Sequence, residues 1–209
     1  MDWRARLRER LRGSTPSPPE RLRVGGLSVE DSRRYLPLLP EGRTPAAVLL
    51  PVIDRPQGLT VLLTERASDM RHHPGQIAFP GGRVEEGDAD VVEAALRETE
   101  EEIGLSRAYV EVLGFLDDQL VISGFRVTPV VALVRTGFTL ALDPSEVAAS
   151  FEVPLEFILD PANHRPRKVV IGGMEMPFKD LTFDTRTIWG MTAGVLFTLA
   201  ARLTEPAGE

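Results

Sequence analysis

The chain has no cysteine. A disulfide framework and thiolate zinc or iron–sulfur centres are therefore excluded, leaving carboxylates and three histidines as possible metal ligands. It also lacks any run approaching the roughly 18 apolar residues of a membrane span. Its first residues, Met1 to Gly13, have no uninterrupted apolar core of the secretory kind, and Asp2 and Glu9 count against a transit peptide, so cytoplasmic residence is the default expectation. Positive charge is in deficit: 24 Lys and Arg stand against 31 Asp and Glu, a formal charge of −7. A sequence-independent grip on nucleic-acid phosphates needs the opposite balance. Neither nucleic acid nor membrane is expected as a partner, whereas a small anionic substrate remains compatible if a cation or an arginine cluster offsets the field.

What is present suits one ordinary domain, with 43% hydrophobic and 26% charged residues over 209 positions. Residues 1–40 read as an N-terminal helical appendage and linker. Trp3, Leu7 and Leu11 share one stripe of a short amphipathic helix, better suited to packing on the domain or on a partner subunit than to a membrane surface. Ser14 to Pro19 is a proline-rich linker. Residues 41–205 form the domain proper. AAVLLPVI and LTVLLTERA, joined by DRPQG, predict a β-hairpin. Further strands are expected at 110–116 and 126–135, with two short ones within 169–183. Helices are expected at 90–103, weakly at 155–159, and at 187–203, with Trp189 as a core anchor near the start of the last. Strands interleaved with few helices indicate an α/β layered domain.

Residues 79–105 carry the chemistry. From Glu85 to Glu102 nine carboxylates face one base, Arg97. At about 100° per residue, Glu98, Glu101 and Glu102 lie within roughly a 100° arc, beside a separate stripe of Val92, Leu96, Thr99 and Ile103. Like charges at helical spacing cost about 0.2–0.5 kcal/mol per pair. A hard divalent cation, which takes carboxylate, water and phosphate oxygens, would offset that cost. A merely solvated acidic face is the ordinary reading of such a helix, but Pro80-Gly81-Gly82 precedes it, and glycines bring backbone close to a ligand. Arg97 is spaced to pair with Glu93 and Glu101. Arg66, Arg71, His72 and His73 form a positive stretch ahead of the glycines, and bidentate arginines suit phosphate. Asp117, Asp118 and residues 123–125 are candidates for a substrate-facing loop.

Arg97, Glu98, Thr99, Glu100, Glu101, Glu102, Ile103, Gly104 and Leu105 resemble the second half of the Nudix box. Thr99 stands where that pattern has an aliphatic residue. The front half is one residue longer, so Gly82 and Asp88 keep the first spacing with aspartate in place of glutamate, and Asp88 is expected to cap the helix. Upstream, Leu62 to Ala67 (LLTERA), Arg71, Gly75 and Phe79 to Gly82 (FPGG) are similar to the coenzyme A pyrophosphatase branch, as are residues 151–161 (FEVPLEFILDP) and 188–193 (IWGMTA). The resemblance implies a Nudix-type α/β/α sandwich, a mixed β-sheet flanked by helices. It also implies Mg²⁺- or Mn²⁺-dependent hydrolysis of the diphosphate linkage of coenzyme A or its derivatives to 3′,5′-ADP and 4′-phosphopantetheine or its acyl form. Glu98, Glu101, Glu102 and the Gly81 carbonyl would hold the metal, and Arg66, Arg71, Gly81 and Gly82 the substrate. Glu146, or with less support Glu152, follows the last long strand as a further ligand or general base. Another nucleoside diphosphate derivative such as ADP-ribose, or a nucleotide-binding module that does not hydrolyse, stays open on the same scaffold. Nothing in the sequence fixes the oligomeric state.

Overall fold

A computed structural model describes residues 1–18, 21–25, 27–39, 43–70, 73–171 and 174–205. The chain opens with α1 (Trp3–Leu11), β1 (Arg23–Val24) and α2 (Val29–Tyr35). The predicted hairpin is β2 (Thr44–Arg55) and β3 (Gly58–Arg66), antiparallel, with Arg55 opposite Gly58. The glycine segment holds β4 (Ile77–Ala78) and β5 (Gly81–Arg83), and the acidic helix is α3 (Val91–Ile103). After it come β6 (Val110–Phe115), β7 (Gln119–Leu120), β8 (Phe125–Val134), β9 (Val147–Pro154) and α4 (Leu155–Leu159). A three-stranded sheet, β10 (Arg165–Ile171), β11 (Met174–Phe183) and β12 (Arg186–Ile188), precedes α5 (Gly190–Thr204).

A nine-stranded mixed sheet organises the described residues, running β1-β7-β8-β2-β3-β4 with β5, β6 and β9 paired alongside. β2 lies parallel to β8 and antiparallel to β3 and β5. Both faces of β2 are covered, which is why AAVLLPVI reads as a continuous apolar run instead of an alternation. Ala47 and Leu49 point to one face and meet Ala94 and Ala95 of α3. Val48, Leu50 and Val52 point to the other and meet Leu196, Leu199 and Leu203 of α5. Helix, mixed sheet and helix thus stack as an α/β/α sandwich, as the sequence implied.

Leu7 and Leu11 of α1 are fully buried in the α5-side core. Each such burial contributes about 1.5–3 kcal/mol. Asp2 caps the helix by accepting from the Arg4 and Ala5 amides, and Arg8 makes a two-pronged bond to Glu111 on β6. The expected helix at 187–203 starts later: Thr187 and Ile188 pair with β11, because the turn after Phe183 sends the β-branched pair back along that strand. Trp189 is no core anchor. It is 37% exposed, with the Arg167 guanidinium 5.0 Å from its ring. No helix among the described residues is long and apolar enough to cross a membrane.

Candidate active site

Asp90, not Asp88, starts the acidic helix. Its carboxylate accepts from the Val92 and Glu93 amides at 2.8 and 2.9 Å. An N-cap side chain reaches only the second and third helical amides, and with Val91 first in the helix those belong to residues in range of Asp90. Asp88 is instead clasped by Arg97 through two bonds of 2.9 and 3.0 Å and accepts from the Glu85 amide, and these hold its carboxyl down at about 2. Arg97 does not pair with Glu93, which is held by Arg107. Its fork joins the 83–88 loop to the helix and touches Glu98 and Glu101 at 3.1 Å each.

The two glycines let backbone meet this helix closely. Gly81 has φ 148°, and a Cβ there would overlap the β2 backbone at Ala47 and Val48. A Cβ on Gly82 would overlap the Glu98 carboxylate itself. Glu102 lies beneath them, 3% exposed, accepting one hydrogen bond of 3.1 Å from the Gly81 amide. Burial, reinforced by the negative charges of Glu146 and Glu98, pushes its carboxyl up to about 8, although the Gly81 bond and the Arg66 charge act the other way. Burial likewise raises Glu98 despite the adjoining Arg97 guanidinium.

Glu146 reaches this place just ahead of β9, which pairs with β3. Its carbonyl accepts from the Ala67 amide at 2.8 Å, fastening the start of β9 to the end of β3, where Arg66 sits. The buried Arg66 Nε has no acceptor among the described residues. Glu98, Glu102, Glu146, Arg66, Gly81 and Gly82 are therefore neighbours, although far apart in sequence. Glu101 stands at the rim, its side chain 59% exposed and turned to Arg97. Glu152 is elsewhere: burial raises it, but Arg55 and Thr60 more than offset this and hold it below its ordinary range. Arg71 and His72 lie outside the described residues. Asp117 and Asp118 are both buried and bound by arginines.

No three acids or histidines among the described residues form a ready-made cation cage. The donor set still fits a hard divalent ion. A buried carboxyl near 8 with a single hydrogen bond is short of positive charge, its neighbours are carboxylate oxygens, and a cation would take the place of the proton. The Asp90 cap was legible as Asp90-x-x-Glu93, whereas the Asp88–Arg97 clasp spans nine residues across a loop and has no local signal.

A family model described as the NUDIX domain matches residues 42–171. The chain is 41% identical over 162 residues to the protein named Uncharacterized Nudix hydrolase NudL of Enterobacter sp. (strain 638), covering 77% of this chain and 83% of that one. It is 40% identical over 159 residues to the protein of the same name from Escherichia coli O1:K1 / APEC, covering 76% and 82%. Among solved structures it is similar to a C. elegans Ap4A hydrolase in a binary complex, at 21% identity and a TM-score of 0.47, covering 53% of this chain and 80% of that one. The domain match and the two relatives, together with an acidic helix folded against a glycine turn, place this chain in the Nudix hydrolase family.

Proposed function

We propose that the protein hydrolyses the diphosphate linkage of coenzyme A or a thioester derivative, releasing 3′,5′-ADP and 4′-phosphopantetheine or its acyl form, with Mg²⁺ or Mn²⁺ as cofactor. The observation that carries the hydrolytic reading is the buried, under-neutralised Glu102 beside Glu98 and Glu146. Support for the coenzyme A substrate is the LLTERA…Gly75…FPGG segment, whose ends meet in the fold: β3 pairs with β4, and the Gly75 amide bonds to the Arg66 carbonyl.

Glu98 and Glu102 would hold the metal, with Glu101 and the Gly81 carbonyl completing the protein's share. The bound ion supplies positive charge to the diphosphate oxygens and makes water a better nucleophile. The residues do the rest. Arg97, anchored on Asp88, fixes the rotamer of Glu98. Glu146, whose charge acts on Glu102, would serve as a further ligand or as the general base. Arg66, with Nε unclaimed, and Arg71 would bind phosphoryl oxygens as forks. We assign residues 41–205 to the hydrolase domain and residues 1–40 to an N-terminal helical appendage and linker that packs onto it through Leu7, Leu11 and β1, with a small molecule as the reacting partner in the cytoplasm.

Incubation with coenzyme A and Mg²⁺, with products identified by mass, tests the reading. Equimolar 3′,5′-ADP and 4′-phosphopantetheine are expected, with no turnover in EDTA. An intact coenzyme alongside rapid hydrolysis of ADP-ribose would reassign the substrate.

A further inference from the structure

A second concentration of charge lies on the opposite face of the sheet. At the C-terminal end of α5 a pocket of about 340 Å³ is lined by Arg10 of α1, Arg21 and Arg23 around β1, and Arg202 of α5. Asp117 and Glu205 are its acids. In a chain of net charge −7 this is a local surplus of two positive charges among the described lining residues. Structural duties absorb part of the arginine set. Arg21 and Arg23 each hold one oxygen of Asp117 at 2.9 Å, and Arg10 donates to the Glu205 carbonyl at the end of the helix. Two groups are left over. The Arg10 Nε is buried with no acceptor among the described residues. Arg202 approaches its carboxylate neighbour, Asp117, only to 3.8 Å, beyond hydrogen-bond length.

The pocket is separate from the acidic helix. Thr192, at the start of α5, bonds to the Ile77 carbonyl of β4, and Arg202 lies ten residues further on, about 15 Å along the helix. α5 covers the sheet face that α3 does not.

We propose that this pocket binds a phosphate dianion, either free or as the phosphomonoester of a small molecule. Its charge surplus matches two negative charges, and guanidinium forks match phosphate oxygens in geometry. The site does not depend on the diphosphatase reading. Occupancy would bridge α1, β1 and α5, linking the N-terminal segment to the last helix.

Calorimetric titration of the full chain in EDTA, at ionic strength held constant with chloride, provides the test. Inorganic phosphate and adenosine 3′,5′-bisphosphate serve as separate titrants. Saturable one-to-one binding is expected, weakened about tenfold by Arg202→Gln and unchanged by Glu102→Gln. Arg202→Lys, which keeps the charge and loses the fork, should fall between. The tighter titrant at the Arg202-dependent site identifies the carrier as free phosphate or as a phosphomonoester. Absence of saturable binding by both titrants, or affinity unaltered in an Arg202→Gln protein that melts as wild type does, overturns the proposal.

Discussion

The fold buries two groups of acids and treats them in opposite ways. Asp117 and Asp118 are 5% and 0% exposed, yet each is held by arginine: Asp117 by Arg21 and Arg23, and Asp118 by Arg126 at 2.7 Å. Glu102 is 3% exposed and has one amide for a partner, while Glu98 and Glu146 add repulsion. Buried charge is tolerated where it is paired and hydrogen-bonded. The first group meets that condition and serves the architecture. The second fails it at the place where two glycines bring backbone against a helix, and a deficit of positive charge kept in such a place is a mark of a functional site.

The sharpest way to break this contrast is to neutralise one acid from each group. Glu102→Gln keeps volume and removes the charge. If the carboxylate holds the catalytic metal, kcat should fall roughly a thousandfold, on an estimate of about 4 kcal/mol lost in the transition state, while the melting temperature in chelator holds or rises. Asp118→Asn should do the reverse. Leaving Arg126 with half a partner in a buried setting costs about 3 kcal/mol of stability, with kcat of the folded fraction near wild type. Steady-state kinetics and thermal melts on both variants measure the contrast, and it collapses if the two behave alike.

A smaller effect comes from pH. Glu102 has a folded value of about 8 against an ordinary 4.5, so the folded protein binds more protons between those values and its metal-free stability must fall as pH rises through that window. Melting temperatures in EDTA should decline from pH 5 to pH 9, and Glu102→Gln should flatten the decline. Acids held low, such as Asp88 at about 2, act in the opposite sense below this range.

The smallest change is expected at the join between loop and helix. Asp88→Ala leaves the Asp90 cap intact but frees the Arg97 fork to close on Glu98. Assayed across metal concentrations, it should raise the Mg²⁺ requirement while kcat at saturating metal stays within about tenfold of wild type, a shift of about 1.4 kcal/mol or less. A loss as deep as that of Glu102→Gln would put Asp88 in the metal site.

Local pattern carried much of this structure. The hairpin, α3 and β8 were legible because covered strands read as apolar runs and α3 keeps its apolar and acidic residues on separate faces. The same separation marked out Glu98, Glu101 and Glu102 together, and only the fold shows that Glu101 turns outward to Arg97. Pairings across loops could not be read. Arg97 with Asp88, Arg107 with Glu93, and Asp117 with Arg21 and Arg23 depend on how distant segments meet, and no spacing rule encodes that. The β12–α5 boundary was missed because Thr187 and Ile188 continue the apolar pattern of the helix while their backbone pairs with β11.

The most direct measurement is Mn²⁺ calorimetry at pH 7 in buffers of differing ionisation enthalpy, which reads both affinity and protons released. If Glu98 and Glu102 form the metal site, wild type should bind Mn²⁺ and release close to one proton, given a carboxyl near 8, and Glu102→Gln should bind far more weakly and release none. Mn²⁺ binding with the same affinity and proton count in Glu102→Gln would contradict a metal site built on this helix.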